Sequence, residues 1–134
     1  MSDLKGSPAL SMRGGTSSGP YWNAKDLPAD PAQRDAVLLA ALGTTDGLSD
    51  EVDRAQLGGV GGATAVTSKT AILSRSEVEG VDIDYLFAQI DLERPFVDTN
   101  PSCGNILSAV GHAALEMGLI EASDPVTSVS SRDT

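Results

Sequence analysis

The sequence is short of aromatic residues, of sulfur and of positive charge. Aromatics make up 4% of its 134 residues: one Trp, two Tyr and two Phe. A core must then be assembled from Ala, Val, Leu and Ile, with 14 glycines allowing close approach of backbones. The single cysteine, Cys103, excludes an intrachain disulfide, and with only one histidine beside it no structural zinc site is expected. Nine Lys and Arg stand against 19 Asp and Glu, a net charge of −10. Such a surface repels phosphate, which argues against nucleic acid and anionic membranes as principal partners. No apolar run approaches the roughly 20 residues needed to cross a bilayer. Met1 to Gly6 show no basic stretch leading into an apolar one, so no secretory leader is expected and the expected location is cytoplasmic.

The composition is otherwise that of a single globular domain, 40% hydrophobic and 21% charged. Residues 8–12 read as a short strand running into a Gly- and Ser-rich loop, Arg13 to Pro20, after which Tyr21 and Trp22 begin a second strand. Asp30, Pro31 and Gln33 form a helix start with a cap, a first-turn proline and a capping-box glutamine. The spacing predicts a helix over 31–42, stopped by Gly43. Residues 46–56 are polar and loop-like. The run Leu57 to Ala63 holds four glycines and reads as turns lying close to something. Thr70 to Ser74 and Val81 to Leu92 read as strands. In the second, Val81, Ile83 and Phe87 share one face and Leu86, Ala88, Ile90 and Leu92 the other, so both faces should be covered. Asn100 to Asn105 is a turn opening a helix through Met117. That helix is apolar or small almost all round and should be buried on every side. Residues 124–129 read as one more strand.

Four segments bear chemistry. Cys103, at the start of that helix, would lie in the positive field of unpaired amides, which favours the thiolate; Gly104 would leave those amides open to an anion. A cysteine merely packed in the core fits the same spacing. His112 lies nine positions on, half a turn round the helix, which rules it out as a partner for Cys103 and leaves it as a core or interface histidine. Lys69, at the mouth of an apolar strand, is a candidate general base, or else a strand-edge lysine that discourages aggregation. The glycine runs 14–19 and 58–62 could each offer amide donors to a carboxylate, or be tight turns; neither matches a phosphate-loop or dinucleotide fingerprint. Arg13 could clamp a carboxylate at two points or stand at the surface.

Taken in order, Met12-Arg13-Gly14-Gly15-Thr16-Ser17, Gly58 to Gly62, Thr67-Ser68-Lys69-Thr70-Ala71-Ile72-Leu73-Ser74 and Ser102-Cys103-Gly104-Asn105 resemble the PrpF family, which includes methylaconitate and 4-oxalomesaconate isomerases. Asp84 to Gln89 and the stretch after Cys103 look more like the oxalomesaconate tautomerase branch. The resemblance runs from about residue 9 to residue 134. It implies an α/β (α+β) domain of the diaminopimelate-epimerase-like kind, a curved, mostly antiparallel sheet wrapped round a central helix. It also implies a reaction without cofactor or metal: a proton shifted along a small unsaturated di- or tricarboxylate such as 4-oxalomesaconate. Lys69 and Cys103 match the family's proton-moving pair. Arg13, Gly14, Gly15, Thr16, Ser17, Ser68, Gly104 and Asn105 form the candidate substrate-binding set. The family's first loop usually continues Thr-Ser-Lys-Gly, and Ser18 here removes one cation. Family members have a second domain beyond this point, so residues 1–134 are expected to be the first half of a two-domain enzyme. The expected partners are a separately encoded second domain or, in a homodimer, a second copy of the chain. The alternative is a non-catalytic remnant that binds carboxylates weakly or dimerises.

Overall fold

Helix α1 forms over Pro31–Leu42, where its local signals place it. The Gln33 amide donates to the Asp30 carboxylate at 3.0 Å, and Gly43 closes the helix in the left-handed conformation (φ 88°). These elements belong to a computed structural model that describes residues 8–45, 52–53, 56, 59–122 and 128–134.

Strand β1 (Leu10–Gly14) and strand β2 (Ser17–Asn23) pair antiparallel, with Gly14 opposite Ser17. The expected eight-residue loop from Arg13 is thus a two-residue turn, Gly15-Thr16, and most of its glycines and serines are strand. Two close approaches explain why the composition misleads. Gly15 turns at φ 57°, and a Cβ on Gly19 would fall onto the Lys69 carbonyl oxygen, so glycine lets β2 lie against its neighbour. A 3-10 turn over Ala24–Asp26 leads towards α1.

Strand β3 (Lys69–Arg75) runs parallel to β2, and β4 (Ile83–Ile90) runs antiparallel to β3. The far edge of β4 carries β5 (Val97–Asp98), antiparallel, at one end and β6 (Ser131–Asp133), parallel, at the other. The sheet is therefore mixed, in the order β1-β2-β3-β4-β5 with β6 off β4. Of the predicted C-terminal strand, residues 124–127 lie outside the described residues. Residues 128 and 129 are not strand; the pairing begins at Ser131, held by a two-point ion pair from Arg132 to Asp84 at 2.8–2.9 Å.

The alternation read in β4 sorts into two cores. Ile83, Tyr85 and Phe87 join Tyr21, Ala71 and Leu73 on one face. Ala88 and Ile90 join Trp22, Ile72 and the α1 residues Leu38, Leu39 and Leu42 on the other. The polar atoms on the α1 face are satisfied in series: Trp22 Nε1 donates to Thr70 Oγ1, which donates to the Pro20 carbonyl.

The predicted long helix is broken into α2 (Gly104–Leu107) and α3 (Val110–Glu116). Ser108 Oγ takes the Asn105 carbonyl at 2.6 Å, and the Ala109 amide turns instead to Ile106 at 3.2 Å, a tighter i to i−3 bond. Nor is this helical stretch buried on every side. Ile106, Val110, Ala113 and Ala114 face the sheet, while Leu107 is 42% exposed and His112 and Glu116 stand at the surface. The second glycine run lies close to α1: the amides of Val60 and Gly61 donate to the carbonyls of Ala41 and Leu42, the last turn of that helix. Those two amides close a helix end and are not aimed at an anion. Gly58 lies outside the described residues.

Candidate active site

Lys69 is the first residue of β3, and its side chain reaches two partners. Nζ donates to Ser17 Oγ at 3.2 Å and to Cys103 Sγ at 3.5 Å. Residues distant in sequence thus meet at one end of the sheet, where β2, β3 and α2 converge. Cys103 immediately precedes α2 with extended backbone, so its sulfur can fold back over the first turn. Partial burial works against ionisation of the thiol. The Ile106 amide, the Lys69 side chain and the Asn105 amide outweigh it and hold Cys103 below its ordinary value of 9.0.

The β1–β2 turn abuts the same helix start. Asn105 Nδ2 donates to Thr16 Oγ1 at 3.1 Å, and a Cβ on Gly14 would fall onto the Asn105 carbonyl oxygen. A Cβ on Gly15 would meet the Asn105 side chain in the same way. The two glycines therefore let the turn seat directly on α2. Arg13 folds back on this turn, Nε donating to the Gly15 carbonyl at 3.0 Å, and is exposed.

The structure brings Gly14, Gly15, Thr16, Ser17, Lys69, Cys103, Gly104 and Asn105 together. Their surroundings differ. Gly104 faces open space, with nothing within 4 Å of where a Cβ would stand. Ser17 is fully buried behind Lys69. Ser68 is also fully buried, and its hydroxyl donates to Gln56 Oε1 at 3.0 Å. Asn105 is exposed, and its side-chain amide is spent on Thr16. His112 is on the α3 surface, 3.7 Å from Glu116, and is neither a core residue nor part of this cluster.

Three residues near the site gave no functional signal in the sequence. Gln56, in a polar stretch, is buried and joins Thr44, Ala63 and Ser68 through its side-chain amide, anchoring the segment that leads into Lys69. Tyr21 and Tyr85 read as strand residues, yet their hydroxyls donate to the carbonyls of Ile106 and Cys103. Burial, with the nearby Cys103 charge, pushes the Tyr21 phenol up to about 12 and raises Tyr85 as well. Among the described residues no cluster of His, Cys, Asp and Glu suited to a metal ion occurs, and no helix is long and apolar enough to cross a membrane.

Sheet, flanking helices and site together define an α/β protein with a lysine set 3.5 Å from a thiol, a pairing suited to acid–base chemistry. The chain belongs to the PrpF family, whose model, described as "PrpF protein", matches residues 4–134. It is 48% identical to the 4-oxalomesaconate tautomerase of Pseudomonas putida, over 91% of this chain and 32% of that protein. It is 45% identical to the (4E)-oxalomesaconate Delta-isomerase of a Novosphingobium species, over 96% of this chain and 34% of that protein. The crystal structure of methylitaconate-delta-isomerase superposes with a TM-score of 0.86 at 38% identity, covering 95% of this chain and 31% of the other. The chain thus spans about a third of the length of these relatives.

Proposed function

We propose that this chain carries the proton-moving pair of an isomerase that shifts a double bond in a small unsaturated di- or tricarboxylate, with 4-oxalomesaconate as the specific candidate. The 3.5 Å contact between Lys69 Nζ and Cys103 Sγ carries the reading. The names of the relatives support the substrate class, since each contains an unsaturated carboxylic acid.

With Lys69 Nζ set against its sulfur, Cys103 is taken as the base and Lys69 as the acid, the reverse of the role that the strand-mouth setting of Lys69 suggests. The thiolate takes a proton from the carbon next to a carboxylate or keto group, giving a neutral thiol and a delocalised anion. Lys69 delivers a proton to the far carbon and becomes a neutral amine. The thiol then returns its proton to the amine across the existing contact, and the ion pair is restored with no net consumption of acid or base. Gly104, facing open space, is where a carboxylate can approach the helix start. Arg13, its Nε already engaged, offers its outer nitrogens to a second carboxylate.

In this reading residues 1–134 are the first domain of a two-domain enzyme, its sheet curving round α2 and α3. On the same reading the exposed side chains of Leu107 and Val66 would be covered by the rest of the enzyme or by a second copy. The test joins this chain to the remaining part of the Pseudomonas putida tautomerase and follows the ultraviolet absorbance of 4-oxalomesaconate. Turnover that disappears in both Lys69→Ala and Cys103→Ser is the expected result. Turnover that survives both substitutions overturns the assignment.

A further inference from the structure

The chain has two tyrosines, and both place their hydroxyls under one four-residue helix. Tyr21 is on β2 and Tyr85 on β4, with β3 between them. The pairings Tyr21–Ala71 and Leu73–Tyr85 bring both phenols onto the same face of the sheet. Both are buried. Tyr21 donates to the Ile106 carbonyl at 2.6 Å and Tyr85 to the Cys103 carbonyl at 3.4 Å. A helix this short supplies little of its own order, because nucleation is costly and its turn rests on bonds such as Leu107 to Cys103 and Ser108 to Gly104. Its direction must come from outside.

We propose that Tyr21 and Tyr85 are positioning residues that clamp α2 and the Cys103 backbone from beneath and keep Cys103 Sγ at its contact with Lys69 Nζ. The clamp rests on the reading of Cys103 as the working thiol. A phenol beneath each end of the turn fixes its tilt, and the hairpin turn holds it from above through Thr16 and Asn105. The groups that face the thiol are Lys69 from β3, Tyr21 from β2 and Tyr85 from β4, with Asp133 of β6 acting on Tyr85. Loosening the clamp leaves Lys69 in place on β3 but lets Cys103 swing away from its Nζ, and the ionised thiol loses part of its stabilisation.

The experiment uses the 134-residue chain and measures the rate of iodoacetamide alkylation of Cys103 against pH. Tyr21→Phe and Tyr85→Phe should each move the midpoint of that curve to higher pH. In the double variant, alkylation at pH 7 should slow about tenfold, the equivalent of one pKa unit. Phe87→Leu, a substitution on the same face that removes no hydroxyl, should lower the melting temperature and leave the midpoint alone. If the tyrosine variants also lose stability with an unmoved midpoint, the phenols are only core residues and the proposal fails. Should the variants not fold, the parent chain decides by NMR. The two hydroxyl protons should exchange slowly and show coupling across the hydrogen bond to the carbonyl carbons of Ile106 and Cys103, and absence of that coupling overturns the clamp. The alkylation curve needs no substrate. A moved midpoint in a protein that fails the isomerase assay removes the reaction but keeps the clamp; an unmoved midpoint in an active one does the reverse.

Discussion

The two faces of the sheet are built on different terms. The face under α1 is closed by a 12-residue helix that satisfies most of its own backbone, caps itself with Asp30 and Gly43, and packs Leu38, Leu39 and Leu42 on Trp22, Ile72 and Ile90. The face under α2 and α3 carries a broken helix whose carbonyls are taken by tyrosine hydroxyls and a serine side chain. Lys69 and Cys103 meet at the end of this second face. A self-sufficient helix gives a platform. A helix that borrows its partners from the sheet can be aimed, and the candidate chemistry is found at the aimed helix.

That contrast can be broken or sharpened by substitution. The largest expected effect is on the chemistry: in the joined enzyme, Lys69→Ala should lower kcat by about 10²–10⁴-fold with little change in melting temperature. On the platform face the reverse is expected. Leu42→Ala empties a fully buried site and should cost about 2–5 kcal/mol in urea unfolding, while the pH midpoint of Cys103 alkylation stays where it was.

Between these lies Gly14→Ala. The new Cβ meets the Asn105 carbonyl oxygen, so the turn must lift off α2. A loss of about 1–3 kcal/mol, with faster amide exchange at Thr16 and Asn105, would mark the contact. A variant as stable as the parent would show that the turn is not seated there. Asp30→Ala removes the α1 cap and should cost about 1 kcal/mol without changing thiol reactivity.

The smallest effect is the pH dependence of stability, in which Cys103 acts with one sign and the buried tyrosines, Tyr21 and Tyr85, with the other. Cys103 is ionised more readily in the fold than in the unfolded chain. The unfolded state therefore holds more protons below the ordinary thiol value. Stability should rise with pH towards 9.0 and be lost as pH falls through the lowered value. Tyr21 acts in the other direction. Its proton is retained to about 12, whereas an exposed phenol loses it near 10.0, so stability should fall as pH climbs past 10.0. Urea midpoints across the range measure both limbs, and Cys103→Ser should flatten the lower one and weaken the upper, since the Cys103 charge also helps raise the tyrosines.

The elements legible in the sequence are those with local causes. The α1 boundaries follow from Asp30, Pro31 and Gly43 within a few residues of chain, and the alternation in β4 follows from the pleat. The helix after Cys103 was legible as a helix but not as two. The competing groups are Ser108, whose side chain reaches back to Asn105, and Tyr21, 85 residues away in sequence from the carbonyl it binds. The glycine run after Arg13 misled for a related reason: composition suggests a loop, whereas Gly19 is there because the Lys69 backbone lies against it.

Lys69 and Cys103 stood out singly in the sequence, one at the mouth of an apolar strand and the other at a helix start. The resemblance of their motifs to the family's led to the expectation that they act in one reaction. The sequence by itself determined those two local settings, the capped platform helix and the alternation that buries both faces of the sheet, because each depends on neighbours within a turn or a pleat. Only the tertiary structure decided that Nζ and Sγ lie 3.5 Å apart, that Ser17 is buried behind the lysine, and that both tyrosines sit under α2. Those outcomes depend on strand order and register across three strands, and on how a four-residue helix is held. No short stretch of sequence contains both sides of such a contact.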